Sequence, residues 1–392
     1  MGTKTKVLAI CQREIPSALV GVNKLLNYLK EKDVLEFQFV ESIHVKKSHI
    51  AETDVLVCIR GSEQLELNIV KECKRLGKYI IYFLDDDLLS VPDNANSSGY
   101  FNNEFIRSTI IQIMRESNCL WSTNKNISRK YEDIFAKTVV LDAPALLLEH
   151  YKQNNKKEEH DTITIGFAGG LDHKFFLEEL LEKPIQSIIN RYNGKVKFEF
   201  FGAKPAFVDK FGLQYIPYES DHNSYRSTML SRNWDIGLAP LPSSSFHGCK
   251  YFNKFLEYGA IEAAGVYSNV EPFNHIVENE RNGILVQNTC EEWAHAIGSL
   301  IDNKTLRKTI TDNAKSQLEK DFNIDTISEK LTEQIPEICG YSAPAVSERQ
   351  VELEDAPKSF ILYKIANVIR REGFNAPAFI IKKVFTWIEH RF

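Results

Sequence analysis

Residues 163–173, ITIGFAGGLDH, lead from an apolar, β-branched run through two glycines into a helical pattern. A buried parallel strand that ends in a glycine turn before a helix has this pattern, and the free N–H groups at the start of such a helix attract phosphate. Gly169, Gly170 and His173 are therefore candidate ligand-binding residues. The full GxGxxG fingerprint is absent, so a tight turn without a ligand stays open as the alternative.

The same alternation of short apolar runs and longer helical patterns extends along the chain in both directions. Before the glycine turn, strands are predicted at 7–11, 37–40, 54–59, 79–84, 119–122 and 138–141, and helices at 23–31, 64–76, 103–117 and 127–135. From the turn onwards, strands are predicted at 163–168, 196–201, 235–239, 265–268 and 284–286, and helices at 175–192, 251–263, 291–301 and 304–320. This rhythm predicts an α/β protein with two Rossmann-like, doubly wound lobes that face a cleft.

Composition changes mark the predicted domain boundaries. Residues 152–161 are polar throughout and predict a linker between an N-terminal lobe, residues 1–151, and a C-terminal lobe, residues 162–336. An irregular acidic stretch at 337–357 predicts a second linker. Residues 358–392 carry seven Lys and Arg against two Glu, with apolar residues at helical spacing, and predict a basic, amphipathic helical tail.

Length, charge and cysteine usage exclude several classes of protein. A chain of 392 residues suits two domains with an appendage, and its net charge of −5 argues against a nucleic-acid partner. The seven cysteines form no CxxC pair, so neither a zinc site nor a disulfide framework is indicated. No run approaches the roughly 18 apolar residues of a membrane span, and the N-terminus lacks the pattern of a signal peptide. We therefore expect a cytoplasmic protein.

A second motif, KYFNKFLEYGAIEAAGVYS at residues 250–268, indicates a nucleotide site. The spacing of Lys250, Lys254 and Glu257 predicts that they share one face of a helix. Two ammonium groups suit a diphosphate, and a carboxylate one turn further along can accept hydrogen bonds from two adjacent ribose hydroxyls. A solvated helix face with an ordinary Lys–Glu pair is the alternative.

The second half resembles the nucleotide-binding lobe of GT-B glycosyltransferases, in particular the large retaining group (family 4-like, group 1) with a two-glutamate motif. The resemblance covers most of residues 160–320, and four segments carry it: ITIGFAGGLDHKFFLEEL, KFLEYGAIEAAGVYS, EPFNHIVENERNGILVQN and EEWAHAIGSLIDNKTLRKTITDNA. Glu257 matches the second glutamate of the family motif. Cys249 stands in the place of the first, which in the family contacts the donor sugar, so the sugar and the stereochemical outcome stay open.

The resemblance implies a hexosyltransferase-like enzyme that moves a sugar from a nucleoside-diphosphate sugar to a glycan or lipid-linked acceptor in cell-surface polysaccharide biosynthesis, with retention of configuration. It implies a donor between the lobes, with its diphosphate on Gly169, Gly170, Lys250 and Lys254, its ribose on Glu257, and His173 against the phosphate or sugar. Lys250 would also act in catalysis by stabilising the leaving group. The resemblance implies the nucleotide sugar as co-substrate, without a metal or other cofactor.

The first half has one marked feature, the run FLDDDLL at residues 83–89. Its aspartates follow a predicted buried strand, and the carboxyl ends of parallel strands line the ligand crevice in open α/β sheets. Asp85 and Asp86 are therefore candidate catalytic residues that bind the acceptor hydroxyl, or supply a general base if the reaction inverts. A metal site with Asp87 and a helix N-cap are the alternatives.

The tail and the missing glutamate leave two further questions. The amphipathic segments 360–371 and 379–391 predict attachment to an anionic membrane, at the inner face of the cell membrane and without spanning it, whereas packing on the first lobe is the alternative. The missing glutamate keeps two other functions open, a GT-B-fold sugar-nucleotide 2-epimerase and a non-catalytic GT-B scaffold protein.

Overall fold

The computed structural model describes residues 4–148, 161–353, 360–373 and 376–377. Among these residues, two compact units are present. The first contains the residues up to Leu141 together with those from Ser328 onwards, and the second is Asp142–Ile327.

The first unit is built on a six-stranded parallel sheet in the order β2-β1-β3-β4-β5-β6. Its strands are β1 (Lys6–Cys11), β2 (Glu36–Glu41), β3 (Val55–Ile59), β4 (Tyr79–Leu84), β5 (Cys119–Ser122) and β6 (Lys137–Val140). Its helices are α1 (Pro16–Ala18), α2 (Lys24–Glu31), α3 (Lys47–Glu52), α4 (Gln64–Arg75), α5 (Ser98–Phe101), α6 (Glu104–Glu116) and α7 (Lys125–Tyr131), with a π-helical turn, Leu19–Asn23, between α1 and α2. Every residue of β3 is buried, because helices cover both faces of a parallel sheet.

The second unit repeats the architecture with a six-stranded parallel sheet in the order β12-β11-β10-β7-β8-β9. Its strands are β7 (Ile163–Gly169), β8 (Val196–Gly202), β9 (Gln214–Ile216), β10 (Ile236–Ala239), β11 (Ala264–Ser268) and β12 (Ile284–Val286). Its helices are α8 (Lys174–Arg191), α9 (Ala206–Lys210), α10 (His222–Leu230), α11 (Asn253–Ala260), α12 (Cys290–Asp302) and α13 (Lys304–Asp321). The strand order reverses between β7 and β10, and ligands of doubly wound sheets bind outside the carboxyl ends of the strands at such a reversal.

The predicted fold class, two doubly wound parallel sheets, is confirmed. Strand β9 and several helices, among them α3, α9 and α10, are not predicted by the sequence pattern. Strand β9 has three residues, none of them fully buried, and α10, HNSYRSTML, is rich in residues with low helix propensity. A cap compensates in α10, because the Asp221 carboxylate accepts a hydrogen bond from the Ser224 N–H at 2.7 Å.

The boundaries of the two units differ from the predicted domain boundaries. Residues 142–148 belong to the second unit, where the Ala145 N–H donates to the Phe322 carbonyl at 2.8 Å. The second division falls within α14 (Ile324–Gln334), which precedes α15 (Glu337–Gly340). The predicted linker 337–357 is held along the first unit as far as it is described, since Thr5 and Gly77 hydrogen-bond to Tyr341. The linker 152–161 lies outside the described residues except for Asp161.

One tail helix, α16 (Phe360–Glu372), packs on the first unit. Tyr363 and Asn367 are buried, and the Lys364 ammonium donates to the Gln12 side chain at 3.1 Å. Ile365 and Ile369, two apolar residues of the predicted amphipathic segment 360–371, are 38% and 53% exposed. The helix therefore packs through the face that carries Tyr363 and Asn367, and these two isoleucines remain at the surface. The predicted segment 379–391 lies outside the described residues. No helix in the described part of the chain is long and apolar enough to cross a membrane.

Candidate functional site

The glycine turn lies at the strand-order reversal of the second sheet, at the carboxyl end of β7. A Cβ atom on Gly169 would lie 2.3 Å from His173 Nδ1, so only glycine fits against this histidine ring. A Cβ atom on Gly170 would meet no heavy atom within 4 Å. The turn is therefore closed by His173 on one side and open at Gly170, where a ligand can approach the backbone.

His173 is held as a neutral side chain in a positively charged environment. Its ring lies 4.9 Å from the Phe176 ring, centroid to centroid, and its Nδ1 is buried without a hydrogen-bond partner among the described residues. Burial, with the charges of Lys250, Lys254 and His247, lowers the pKa of His173 to about 3. The structure thus brings His173 into the electrostatic range of both candidate lysines, and the neutral ring adds no charge to theirs.

The prediction that Lys250 shares a helical face with Lys254 and Glu257 is wrong. Helix α11 begins at Asn253, and Lys250 follows a short 3-10 turn, His247–Cys249, with an extended backbone at φ −73° and ψ 157°. Its ammonium lies 4.7 Å from the centroid of the Phe246 ring, a cation–π contact. Lys250 therefore reaches the site from a loop, whereas Lys254 and Glu257 occupy the first two turns of α11.

Glu257 is held at both carboxylate oxygens. Lys254 Nζ lies 2.5 Å from Oε2, and the Tyr225 hydroxyl donates to Oε1 at 3.0 Å. Burial, with the Glu257 charge, raises the pKa of Tyr225 well above its usual range, so the phenol stays protonated as a donor. Each oxygen of a carboxylate has two lone pairs, so Glu257 retains capacity for further hydrogen bonds.

Tyr225 and the loop that carries Lys250 are not predicted by any pattern in the sequence. In that loop, Ser244 Oγ and His247 Nδ1 lie 2.7 Å apart. The start of the loop is fixed at Leu241, whose N–H donates to Ser268 Oγ at 2.8 Å and whose carbonyl accepts from Asn288 at 2.8 Å. These partners come from the ends of neighbouring strands and are distant in sequence, so no local pattern could have identified them.

In the first unit, Asp85 and Asp86 lie with Arg60 at the carboxyl ends of β3 and β4. Arg60 Nη1 is 3.5 Å from Asp85 Oδ1, and Arg60 Nη2 is 3.4 Å from Asp86 Oδ2. Arg60 has a positive φ of 50°, an uncommon conformation for a residue with a side chain and one that concentrates at functional sites. Burial raises the pKa of Asp85. The positive charge of Arg60 lowers this pKa in part, and the negative charge of Asp86 raises it further. The arrangement can bind a hydroxyl or accept a proton from one.

Asp87 has a structural role. Its side chain is 1% exposed, forms an ion pair with Lys130 at 2.5 Å and accepts a hydrogen bond from the Tyr131 hydroxyl. The N-cap alternative for this run is wrong, because the next helix after β4 begins only at Ser98. Within the described ranges, no group of three or more His, Cys, Asp and Glu side chains is placed to hold a metal ion.

Solved structures share this fold. Sucrose-phosphate synthase from Thermosynechococcus elongatus matches with a TM-score of 0.60 at 10% identity, over 85% of this chain and 99% of that chain. Anabaena HepE in complex with UDP and glucose matches with a TM-score of 0.58 at 14% identity, over 85% of this chain and 99% of that chain. A glycosyltransferase from Rickettsia africae matches with a TM-score of 0.56 at 12% identity, over 86% of this chain and 98% of that chain. No family model and no curated protein matches the chain. These similarities confirm the GT-B fold.

Proposed function

We propose that this chain is a glycosyltransferase that moves a sugar from a nucleoside-diphosphate sugar to a hydroxyl group of a glycan or lipid-linked acceptor. One observation carries the proposal. At the strand-order reversal of the second sheet, an open glycine turn is combined with two lysines and a pre-oriented carboxylate. The solved HepE structures contain UDP or UDP-glucose, which supports a nucleotide-sugar donor for a chain of the same fold.

The positive groups of the site suit a diphosphate. Gly170 offers open backbone, and Lys250 and Lys254 provide charge, while His173 stays neutral and can form a hydrogen bond through Nδ1. Charge develops on the leaving nucleoside diphosphate as the glycosidic bond breaks, and fixed ammonium groups stabilise it without reorganisation. We propose that these groups replace a metal ion, so that the reaction needs none.

Glu257 suits the ribose. Its orientation is set by Lys254 and Tyr225 before a ligand arrives, and a carboxylate can accept from two neighbouring hydroxyls. Pre-orientation lowers the entropy lost on binding, because the side chain is already in one rotamer.

Asp85 and Asp86 suit the acceptor. A buried carboxyl with a raised pKa next to an arginine can orient a hydroxyl group, and in a retaining transfer this is all that the protein must supply.

We propose retention of configuration, as the family resemblance implies, and a role in cell-surface polysaccharide biosynthesis. We also propose a location at the inner face of the cell membrane, and the exposed isoleucines of α16 support contact with a membrane surface.

Incubation with a panel of nucleotide sugars, without acceptor, tests the proposal. A transferase slowly hydrolyses its donor and releases nucleoside diphosphate, and the matched Glu257→Gln variant should release less at low donor concentration. Interconversion of two nucleotide sugars would instead establish the epimerase, and neither reaction with any donor, in a protein that also binds no nucleoside diphosphate, would refute the enzyme assignment.

A further inference from the structure

Helix α16 lies over the carboxyl edge of the first sheet, where the strand order reverses. The reversal falls between β1 and β3, and ligands of doubly wound sheets bind in the crevice at such a point. Lys364 donates at 3.1 Å to Gln12, which follows β1 directly. The Arg371 guanidinium lies 5.3 Å from the centroid of the Tyr100 ring. The Tyr100 hydroxyl in turn donates at 2.7 Å to Glu63, between β3 and α4. The helix therefore covers the crevice of the first unit.

The two sides of α16 are reversed in polarity compared with an ordinary surface helix. Tyr363, Asn367 and Arg371 follow one another at intervals of four residues, so they form one row along the helix. Tyr363 and Asn367 are 1% and 3% exposed, and the Arg371 side chain is 8% exposed. Ile365 and Ile369 form a row on the opposite side and remain at the surface. A helix that is permanently packed on a core normally buries its apolar side, whereas α16 turns a polar row towards the protein.

The docked position leaves polar groups of α16 poorly satisfied. Neither polar atom of the Asn367 amide group has a hydrogen-bond partner within the residues that the structure describes. Partial burial also lowers the pKa of Lys364, although the charges of Glu63 and Glu66 favour its protonated form. A buried polar group without a partner destabilises the state that buries it. Release of the helix returns these groups to water, so the docked and released states can be close in free energy.

We propose that α16 is an autoinhibitory lid on the acceptor crevice and that an anionic membrane surface releases it. On a membrane, Ile365 and Ile369 leave water, and basic side chains of the helix meet anionic headgroups. In the docked state Lys364 and Arg371 are turned towards the first unit, so only the released helix presents them to lipid. A switch requires such a difference in affinity between its two states. The inference rests on the proposed function, because the crevice that the lid closes is the one assigned to the acceptor.

Hydroxyl-radical footprinting of the full-length protein tests the lid, with Tyr100 as the reporter beneath it. Vesicles of phosphatidylglycerol and phosphatidylcholine in equal amounts should raise the oxidation of Tyr100 severalfold, because Arg371 leaves its ring. Oxidation of Ile365 and Ile369 should fall, because the membrane buries them. The half-buried Tyr28 on α2 is the internal control and should not change. If Tyr100 stays protected on vesicles that bind the protein, α16 is a fixed membrane contact and the lid is refuted. An equal rise with phosphatidylcholine alone would refute the anionic trigger.

Two variants change docking and release separately. Asn367→Leu removes the buried amide at similar volume, so the docked state is favoured and more lipid should be needed for the same Tyr100 oxidation. Ile365→Ser combined with Ile369→Ser should leave Tyr100 protected in solution and abolish its response to vesicles. Val34→Ser is the matched control, because Val34 is also an exposed apolar residue of this unit, and it should respond like the wild type. Equal responses of all these variants would refute the lid.

The footprinting contains no sugar donor or acceptor, so its outcome is independent of the catalytic assignment. A Tyr100 response in a protein that hydrolyses no nucleotide sugar would support a membrane-controlled crevice and count against the transferase. Donor hydrolysis without a Tyr100 response would support the transferase and refute the lid.

Discussion

Replacement of Glu257 by Gln separates the ribose contact from the diphosphate contact. In the wild type, Lys254 Nζ lies 2.5 Å from Glu257 Oε2, the Tyr225 hydroxyl donates to Oε1, and the side chains of the ion pair are each 17% exposed. Glutamine keeps the shape of the side chain and removes its charge. The variant therefore weakens hydrogen bonds from the ribose and also releases Lys254 from its ion pair.

These two effects of the substitution change the affinities of different ligands in opposite directions. Hydrogen bonds to a charged group contribute about 1.5–3 kcal/mol, and the partial exposure of the pair favours the lower limit. We therefore expect Glu257→Gln to weaken nucleoside diphosphate binding by about 1.5 kcal/mol, or roughly tenfold. Pyrophosphate has no ribose and meets a lysine whose charge is no longer neutralised, so its affinity should stay equal or increase.

Calorimetry with both ligands, at low and high salt, measures this divergence. Glu262→Gln is the matched control, since Glu262 forms an ion pair with Lys315 in the same unit and is not part of the site. If Glu257→Gln binds nucleoside diphosphate as tightly as the wild type, Glu257 does not hold the ribose. If both ligands weaken equally, the substitution has damaged the site as a whole, and the separation of roles is refuted.

Four further results are expected. Lys250→Ala should weaken both pyrophosphate and nucleoside diphosphate about tenfold by calorimetry, because a charge-assisted contact to phosphate is lost; unchanged pyrophosphate affinity would remove Lys250 from the site. Turnover should survive EDTA, and loss that Mg²⁺ or Mn²⁺ restores would contradict the metal-free mechanism. Burial raises the pKa of Glu66 to about 7 from its ordinary 4.5, so between these two pH values the folded chain retains a proton that the unfolded chain releases. Stability to urea should therefore fall as the pH rises from 4.5 to about 7, and Glu66→Gln should reduce this pH dependence. Replacement of Ile365 and Ile369 by Ser should reduce co-sedimentation with anionic vesicles at low salt, and equal sedimentation of variant and wild type would exclude α16 as a membrane contact.

Local patterns were sufficient to predict most of the architecture and part of the site. Buried parallel strands are continuous apolar runs, so β3, β4 and β7 were recognisable from the sequence. The glycine turn follows β7 directly, and Lys254 and Glu257 lie on one helix, so their proximity also follows from local spacing. Strand β9 was missed because three partly exposed residues carry too little of the pattern.

The sequence alone therefore determined the two doubly wound sheets, the turn after β7 and the Lys254–Glu257 pair, because each depends on residues that are close in the chain. The tertiary structure decided which side chains from distant parts of the chain contact the functional and structural carboxylates. Tyr225 reaches Glu257 from another helix, 32 residues away, and Lys130 neutralises Asp87 from 43 residues away. The order of strands in a sheet determines such partners, because it places the ends of separate β–α units side by side, and no local periodicity records that order.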